Sequence, residues 1–330
     1  MARIDGTKLT DMIIGALGDE NEIWAHGGDD LAAGGKLEDT IRGGKGSDTI
    51  VGGAGNDTIF GDTGSDNVRG QVGGDNIYGG QGDDALSGGK NDDIIAGGVG
   101  NDKIDGNSGD DIIMGGSGDD TINGSLGNDW IFAGKGNDAV YGGTGNDTVL
   151  ASSGNDIYSG GEGVDTLDYS LIAGRVDFNT GKHVALIGSG KTVATETVSG
   201  FEIVVGSNGN DKFTGDRGVN EFSGGNGADW FRGMAGNDTL TGGAGADTFA
   251  YLKKDTGGHS TDTIADFQVG VDKLDMKDFL KGHANYGQSV RFADDGHGDT
   301  VVQGLVAHHW VDVVVLKGVD AQHVGYDILT

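Results

Sequence analysis

The sequence has no cysteine and no proline among its 330 residues. The lack of cysteine excludes disulfides and thiolate metal sites, so the chain must gain rigidity in another way. The lack of proline argues against an ordinary disordered linker, which is usually rich in proline. No run of 18 apolar residues occurs, so no membrane-spanning helix is expected. Residues 1–15 lack the basic and apolar segments of a signal peptide, so any export is expected not to depend on the N-terminus.

Basic residues are also scarce. The chain has 22 lysines and arginines against 52 acidic residues, which gives a net charge of −30. This balance argues against nucleic-acid binding, which needs a basic surface, and against anionic membranes. A chain of this charge repels itself unless counter-ions are present. Since carboxylates are hard oxygen ligands, the expected counter-ion is a hard cation such as calcium.

Glycine is abundant, with 69 residues, and it follows a strict nine-residue period. From Gly34 to Asp168 the chain divides into fifteen nonapeptides without an insertion. Position 4 is glycine except at Leu37 and Asn91, and position 8 is Ile, Val or Leu except at Tyr158. Two weaker repeats begin upstream at Ala16 and Ala25. Position 6 is always aspartate, namely Asp39, Asp48, Asp57, Asp66, Asp75, Asp84, Asp93, Asp102, Asp111, Asp120, Asp129, Asp138, Asp147, Asp156 and Asp165.

A second array of five nonapeptides covers residues 206–250. Its position 6 carries Asp211, Asn220, Asp229, Asp238 and Asp247. Its position 8 is more aromatic than that of the first array, with Phe213, Phe222, Phe231, Leu240 and Phe249.

Each position of the repeat has a physical reason. Glycine allows the positive φ angles of a tight six-residue loop and lets backbone carbonyls approach one ion. The aspartate supplies a charged oxygen, and the last three residues predict a short strand whose position 8 points inward. One apolar residue in nine makes a thin core, so a single repeat cannot be stable and the repeats must stack.

These nonapeptides resemble the RTX, or hemolysin-type calcium-binding, repeat with its consensus GGxGxDxUx. The resemblance implies an all-β fold, a right-handed parallel β-roll solenoid in which two nonapeptides form one coil. It also implies calcium ions between repeats n and n+2, so the arrays would form up to about 13 and about three sites. Sites near residues that depart from the consensus are expected to be weak or empty, namely Leu37, Asn91, Ala133, Ala151 and Asn220.

The stacked aspartates predict that the roll needs calcium to fold. Coils spaced about 4.8 Å apart would align the aspartates of one edge in a column. Two such charges repel by roughly 3 kcal/mol at an effective dielectric of about 20. A row of them exceeds the ~5–15 kcal/mol stability of a typical domain. We therefore expect cooperative folding near 10⁻⁴–10⁻³ M calcium, the range of extracellular modules.

The domain organisation expected from these patterns has five parts. Residues 1–33 form an N-terminal cap with degenerate repeats, 34–168 the first array, 169–205 a spacer, 206–250 the second array and 251–330 a C-terminal cap. Strands are expected around Val176–Phe178, at Asp299–Gln303 and at Val311–Lys317.

The C-terminal part carries two further resemblances. Residues 261–276, TDTIADFQVGVDKLDM, resemble the segment that follows the last repeat in RTX proteases and alginate epimerases. Asp262, with Asp266 and Asp272, is a candidate for an additional calcium site there. The final residues, YDILT, resemble an uncleaved type I secretion signal, and a terminal strand is the alternative interpretation. Secretion to the extracellular space by the type I route is the expectation.

The outward-facing side chains predict an asymmetry between the two sheets. Positions 7 and 9 of the odd repeats are largely apolar, including Ile94, Ile112, Met114, Trp130 and Phe132, whereas the even repeats are more polar. An apolar outer face is unusual on a monomer. Either another part of the chain covers it, or it serves self-association or ligand binding.

No catalytic motif was found. The histidines lack HExxH spacing, and neither a GxSxG elbow nor a P-loop occurs. The leading hypothesis is a non-enzymatic, secreted calcium-binding protein of the matrix or cell surface. The alternative is a polysaccharide-binding module similar to those of alginate epimerases, with an acidic exopolysaccharide as partner. An enzyme with its active site in residues 251–330 is a third hypothesis.

Overall fold

The computed structural model describes residues 2–16, 18–188, 193–255, 260–282 and 285–330. The chain divides into two compact units. The first contains residues 1–167 with 199–201, and the second contains residues 168–198 with 202–330.

The first unit consists of short strands separated by tight turns. Most of them have six residues, which cover positions 7 to 9 of one repeat and 1 to 3 of the next. The strands are β1 (Ala2–Asp5), β2 (Met12–Ile14), β3 (Asn21–Gly27), β4 (Leu31–Gly35), β5 (Thr40–Lys45), β6 (Thr49–Ala54), β7 (Thr58–Thr63), β8 (Asn67–Val72), β9 (Asn76–Gln81), β10 (Ala85–Lys90), β11 (Ile94–Val99), β12 (Lys103–Ser108), β13 (Ile112–Ser117), β14 (Thr121–Leu126), β15 (Trp130–Lys135), β16 (Ala139–Thr144), β17 (Thr148–Leu150), β18 (Ile157–Glu162) and β19 (Thr166–Asp168).

Every strand from β3 to β16 pairs in parallel with the strand two places further along the chain, and the register shift is 18 residues within the arrays. Ile41 of β5 lies opposite Ile59 of β7, and Ile50 of β6 lies opposite Val68 of β8. The odd strands therefore form one sheet and the even strands another. This pairing confirms the predicted parallel β-roll with two nonapeptides per coil.

The degenerate N-terminal repeats continue the same two sheets. Strand β1 pairs in parallel with β3, where Ile4 lies opposite Ile23. Strand β2 pairs in parallel with β4, where Ile13 lies opposite Ala32.

The core between the two sheets is a ladder of position 8 side chains. Because side chains alternate along a strand, position 8 points inward while positions 7 and 9 point outward. The position 8 residues from Ile41 to Leu167 are at most 3% exposed. Glycine at position 1 also lies inside, which brings the backbone of the loops close to this core.

The second unit repeats this arrangement with shorter strands, after an antiparallel meander in the spacer. Its strands are β20 (Val176–Asn179), β21 (Val184–Ile187), β22 (Ala194–Ser199), β23 (Ile203–Val205), β24 (Lys212–Thr214), β25 (Glu221–Ser223), β26 (Trp230–Arg232), β27 (Thr239–Thr241), β28 (Thr248–Ala250), β29 (Asp262–Ile264), β30 (Lys273–Asp275), β31 (Val290–Asp294), β32 (Thr300–Val306) and β33 (His309–Leu316). One four-residue helix, α1 (Lys277–Leu280), lies among the described residues, with four 3-10 turns at Thr180–Lys182, Tyr286–Gln288, Ala321–His323 and Tyr326–Ile328.

The meander leads into the second array. Strands β20, β21 and β22 pair antiparallel in chain order, and β20 then pairs in parallel with β24. Phe178 of β20 lies opposite Phe213 of β24. The strand expected around Val176–Phe178 is present, and it begins the sheet of β24, β26, β28 and β30.

The two sheets of the second array extend beyond its last nonapeptide. Strand β27 pairs with β29, and β28 pairs with β30, both in parallel. Strand β33 pairs in parallel with β29 and antiparallel with β32, which pairs antiparallel with β31. The expected strands at Asp299–Gln303 and Val311–Lys317 are found with slightly different bounds, because the β32–β33 hairpin is longer than the apolar pattern indicates.

No helix in the described part of the chain is both long enough and apolar enough to cross a membrane.

Candidate metal centre

The position 6 aspartates are buried in both arrays. All fifteen of the first array are at most 2% exposed, as are Asp211, Asp229, Asp238 and Asp247 of the second. Carboxylates are rarely buried to this degree unless they are paired or bind a metal. The predicted metal residues are therefore all brought into the interior edges of the coils, apart from Asp262, which is 4% exposed and lies beyond the nonapeptides.

One carboxylate oxygen of each aspartate, Oδ1, accepts a backbone hydrogen bond from the preceding coil. Oδ1 of Asp66 accepts a hydrogen bond of 2.8 Å from the backbone N–H of Asp48, and Oδ1 of Asp84 accepts one of 2.8 Å from Asp66. The backbone carbonyl of Asp48 accepts in turn from Asn67, at 2.8 Å. This 18-residue step recurs along each edge, so the aspartates form the two predicted columns.

The other oxygen, Oδ2, points inward and is the unusual feature of the site. In most repeats it is buried and has no hydrogen-bond partner among the described residues. A buried carboxylate oxygen without a partner costs about 1–3 kcal/mol or more. These oxygens belong to Asp30, Asp39, Asp48, Asp57, Asp66, Asp75, Asp84, Asp93, Asp102, Asp111, Asp120, Asp129, Asp138, Asp147, Asp229, Asp238 and Asp247.

Backbone carbonyls crowd the same region. A Cβ atom added at Gly43, at position 1, would collide with Oδ2 of Asp48, which follows in the same repeat. A Cβ added at Gly64, at position 4, would collide with the carbonyl oxygen of Gly46 in the preceding coil. Gly64 has a φ of 132°, which side chains rarely adopt. Glycine is thus needed both for the turn and for the close approach of oxygen atoms.

The donor set fits a hard cation. Among the described residues, no group of three or more His, Cys, Asp or Glu side chains could hold a metal by itself. A cation in these loops would therefore be held by inner Oδ2 atoms together with backbone carbonyls. Calcium accepts such mixed sets of carboxylate and carbonyl oxygens in flexible geometry. Loops that contain Asp48, Asp66 and their equivalents would hold it.

Burial changes the protonation of these carboxylates in the absence of metal. Removal from water raises the pKa of Asp57, Asp84, Asp93, Asp120, Asp129 and Asp229 to about 7. It raises the pKa of Asp48, Asp75, Asp111, Asp138 and Asp238 to about 6. The backbone hydrogen bonds oppose this effect, and neighbouring aspartates of the column often add to it. The metal-free column is therefore poorly suited to carry its full charge.

Two predicted ligands differ from the others because protein groups occupy their inner oxygens. Oδ2 of Asp156 accepts a hydrogen bond of 2.8 Å from the Tyr158 hydroxyl. Oδ2 of Asp211 accepts from the backbone N–H of Ser207 at 2.6 Å and from its hydroxyl at 3.0 Å. Their assignment as calcium ligands stays a prediction, as do the other assignments.

The tail carboxylates continue the columns. Oδ1 of Asp262 accepts from the N–H of Asp238 at 3.1 Å, and Oδ1 of Asp272 accepts from Asp247 at 3.0 Å. Oδ2 of Asp272 accepts from Gln268 at 2.7 Å. Burial and the charge of Asp238 raise the pKa of Asp262 to about 8. The two oxygens of Asp266 accept from the backbone N–H groups of Gly242 and Gly243, which begin the repeat of Asp247.

One candidate ligand was missed in the sequence. Asp30 is 3% exposed, its Oδ1 accepts from Asp11, and its Oδ2 has no partner among the described residues. The repeat pattern could have identified this ligand, because Asp30 is position 6 of the weak repeat that begins at Ala25.

The apolar outer face is exposed in the first unit. Trp130 is 52% exposed, and Ile94, Ile112, Met114 and Phe132 are 37–38% exposed. The described part of the chain therefore leaves this face open to solvent.

The tail histidines within the described ranges do not form a metal site. His308 and His309 are exposed at the turn between β32 and β33, and His297 and His323 are exposed as well. His259 and His283 lie outside the described residues.

Comparison with known proteins gives one family. The RTX calcium-binding nonapeptide repeat matches residues 34–68, 69–104, 105–140, 135–167, 197–231 and 223–251, which is more than half of the chain. No curated protein matches the chain. Among solved structures, the crystal structure of extracellular lipase LipA from Serratia marcescens matches with a TM-score of 0.24 and 17% identity. The match covers 72% of this chain and 40% of that one.

Proposed function

Because the chain belongs to the RTX calcium-binding repeat family, we propose that it is a secreted structural protein whose β-roll folds on calcium outside the cell. The column of inner Oδ2 atoms without partners supports this proposal most directly. Such a column is unfavourable when charged and becomes favourable when cations lie between its members. The first array would thus be unfolded where calcium is scarce, and both arrays would be rigid where calcium is millimolar.

Limited proteolysis tests the calcium dependence. Chelator-treated protein is digested across calcium concentrations from the micromolar to the millimolar range, with magnesium as the control. Full protection should appear only near 10⁻⁴–10⁻³ M calcium. Equal protection at micromolar calcium would contradict the proposal, because the roll would then already be folded inside a cell.

We further propose that residues 251–330 direct export by the type I route. A reporter domain carrying this segment should reach the medium in cells that express a type I secretion apparatus. The matched control carries residues 206–250 instead. Retention of both fusions in the cell would contradict this part of the proposal.

The exposed outer face favours self-association as the structural role. Once calcium has neutralised the columns, two copies can approach without strong repulsion, and Trp130 and Met114 would be buried between them. The double variant Trp130→Asp, Met114→Asp should remain folded and become monomeric in calcium, as measured by sedimentation. A monomeric native protein would contradict self-association and leave the alternative, retention on an acidic polysaccharide, as the partner to test on an alginate column.

A further inference from the structure

The nonapeptide loops occur in two conformations, which differ at position 2. In the open loops, the inner Oδ2 at position 6 has no partner among the described residues, and the position 2 residue has a positive φ in all of these loops except that of Gly35. Glycine occupies this position in most of them. The exceptions in the two arrays adopt the same left-handed conformation, with φ angles between 73° and 85°, and are Asp62, Gln71, Asn107, Ser125 and Met234.

In two other loops, which we call closed, a backbone N–H of the same repeat donates to the position 6 oxygen. The backbone N–H of Ser207 donates to Oδ2 of Asp211 at 2.6 Å, and that of Asp216 donates to Oδ1 of Asn220 at 3.1 Å. In each case position 2 donates to position 6 of the same repeat. Among the described residues, neither Ser207 nor Asp216 has a positive φ. In these two loops, the backbone N–H at position 2 therefore donates to the position 6 oxygen that has no partner in the open loops.

The repeat 151–159 is closed in a second way. Tyr158 stands at position 8, where the other fourteen repeats carry Ile, Val or Leu. Its ring lies in the core, and its hydroxyl donates to Oδ2 of Asp156 at 2.8 Å. The same hydroxyl accepts from the N–H of Ser152, at position 2, at 3.1 Å. Strand β17 ends here after three residues, at Leu150.

A donated hydrogen and a cation compete for the same oxygen. In a closed loop the hydrogen points at the carboxylate from the inside, so a calcium ion there would meet a positive dipole and would lose a ligand. In an open loop no donor has to be displaced. Whether a donor at position 2 or position 8 reaches position 6 therefore decides whether that oxygen is available.

We propose that only the open loops take calcium, and that the closed loops at Asp156, Asp211 and Asn220 are metal-free ends of the arrays. This inference rests on the proposed calcium-dependent function. In the repeat 151–159, the Tyr158 hydroxyl takes the place of the ion. Asp156 is the last aspartate of the even repeats in the first array, with the repeat 160–168 between it and the spacer, and the other two closed loops begin the second array.

A matched pair of serine variants tests the inference. Ser207 and Ser125 both stand at position 2, but the loop of Ser207 is closed and that of Ser125 is open. Ser207→Gly removes the hydroxyl donor and permits the left-handed conformation. Native mass spectrometry of the full chain in calcium should show one more bound ion for Ser207→Gly and no change for Ser125→Gly.

A second pair of variants tests whether the Tyr158 hydroxyl keeps calcium from the loop of Asp156. Tyr158→Ile removes the hydroxyl from Oδ2 of Asp156, whereas Val140→Ile changes an ordinary position 8 residue in the same sheet. Tyr158→Ile should also add one bound ion, because the oxygen then has no donor to displace. Val140→Ile should leave the number of bound ions unchanged.

The outcomes separate the inference from the proposed function. Calcium bound by the wild type, with no added ion in either Ser207→Gly or Tyr158→Ile while both remain folded, overturns only the inference. A gain in Ser125→Gly equal to that in Ser207→Gly overturns it too, because position 2 would then not distinguish the loops. A wild type that binds no calcium overturns both proposals.

Discussion

The two repeat arrays differ in the side chains at their core. In the first array, position 8 carries aliphatic side chains, with Tyr158 as the exception, and nearly every loop is open. In the second, Phe213, Phe231 and Phe249 stack in one column, with ring centroids 5.1 and 5.0 Å apart. Its first two loops are closed by protein donors.

This difference separates two sources of stability, one for each array. A phenylalanine buries more apolar surface than an isoleucine and gains further from ring stacking. A closed loop satisfies its own carboxylate or amide without an ion. The second array therefore depends less on calcium for each coil, and the first array depends more on it.

The largest expected effect is the response of the two arrays to chelation. Removal of calcium should unfold the first array and leave the second partly protected, because charge repulsion in the longer column of open loops outweighs its thin core. Hydrogen exchange should therefore become fast in strands such as Thr121–Leu126 and remain slow in Trp230–Arg232. Equal exchange rates in both arrays would contradict the proposal that the second array depends less on calcium.

Loss of one carboxylate from an open loop should have the next largest effect. Asp102→Ala removes an inner oxygen and the acceptor of a 2.9 Å hydrogen bond from the Asp84 N–H. We expect a loss of about 1–3 kcal/mol in the free energy of unfolding, and a several-fold higher calcium midpoint. Chemical denaturation in calcium measures the first quantity, and calcium titration measures the second.

Glu162→Ala is the control for that carboxylate, because Glu162 is exposed at position 3 of its repeat. It should change the free energy of unfolding by less than about 0.5 kcal/mol. A similar loss for both variants would mean that net charge, and not the inner oxygen, determines stability.

Alanine substitutions in the two cores should have different effects in chelator, where only the second array stays partly folded. Phe231→Ala should cost about 3–5 kcal/mol and abolish the protection that the second array keeps without calcium. Ile113→Ala should cost about 2–5 kcal/mol in calcium but change nothing in chelator, where the first array is already unfolded. Residual protection in Phe231→Ala would show that the phenylalanine stack is not its source.

Acid should partly replace calcium in the first array. The pKa values of about 6 to 7 in the folded column lie above the unfolded value near 4, so the metal-free folded state binds more protons between these values. Its stability therefore falls as the pH rises from about 4 to 7. Circular dichroism in chelator should show more β-structure at pH 5 than at pH 7.5.

Protons and calcium compete for the same oxygens, so the calcium midpoint should be higher at pH 5 than at pH 7.5. A metal-free protein that loses β-structure on acidification would contradict the raised pKa values.

The sequence allowed most of the fold to be predicted because its signals are local and periodic. A nine-residue period places every position 6 aspartate and every position 8 side chain, and within each array the structure places the aspartates on two columns and the position 8 side chains in a core, as expected. The limits of the C-terminal strands were less well predicted, since that region has no period and its β32–β33 hairpin extends past the apolar residues.

The differences among the loops could not be predicted in the same way. Tyr158 stood out as an exception at position 8, but the sequence did not show that its hydroxyl reaches Asp156. Ser207 and Ser125 occupy the same position of the repeat, and only their backbone conformations separate them. Asp30 was missed because its repeat departs from the consensus around it.

The central claim is that cations between the aspartates drive the roll to fold. Far-UV circular dichroism during a calcium titration of chelator-treated protein at pH 7.5 tests it most directly, with magnesium as the control. A cooperative increase in β-structure near millimolar calcium, absent with magnesium, is the predicted result. A full β-spectrum before any calcium is added would contradict the account, because the core and the hydrogen bonds would then hold the roll without the ion.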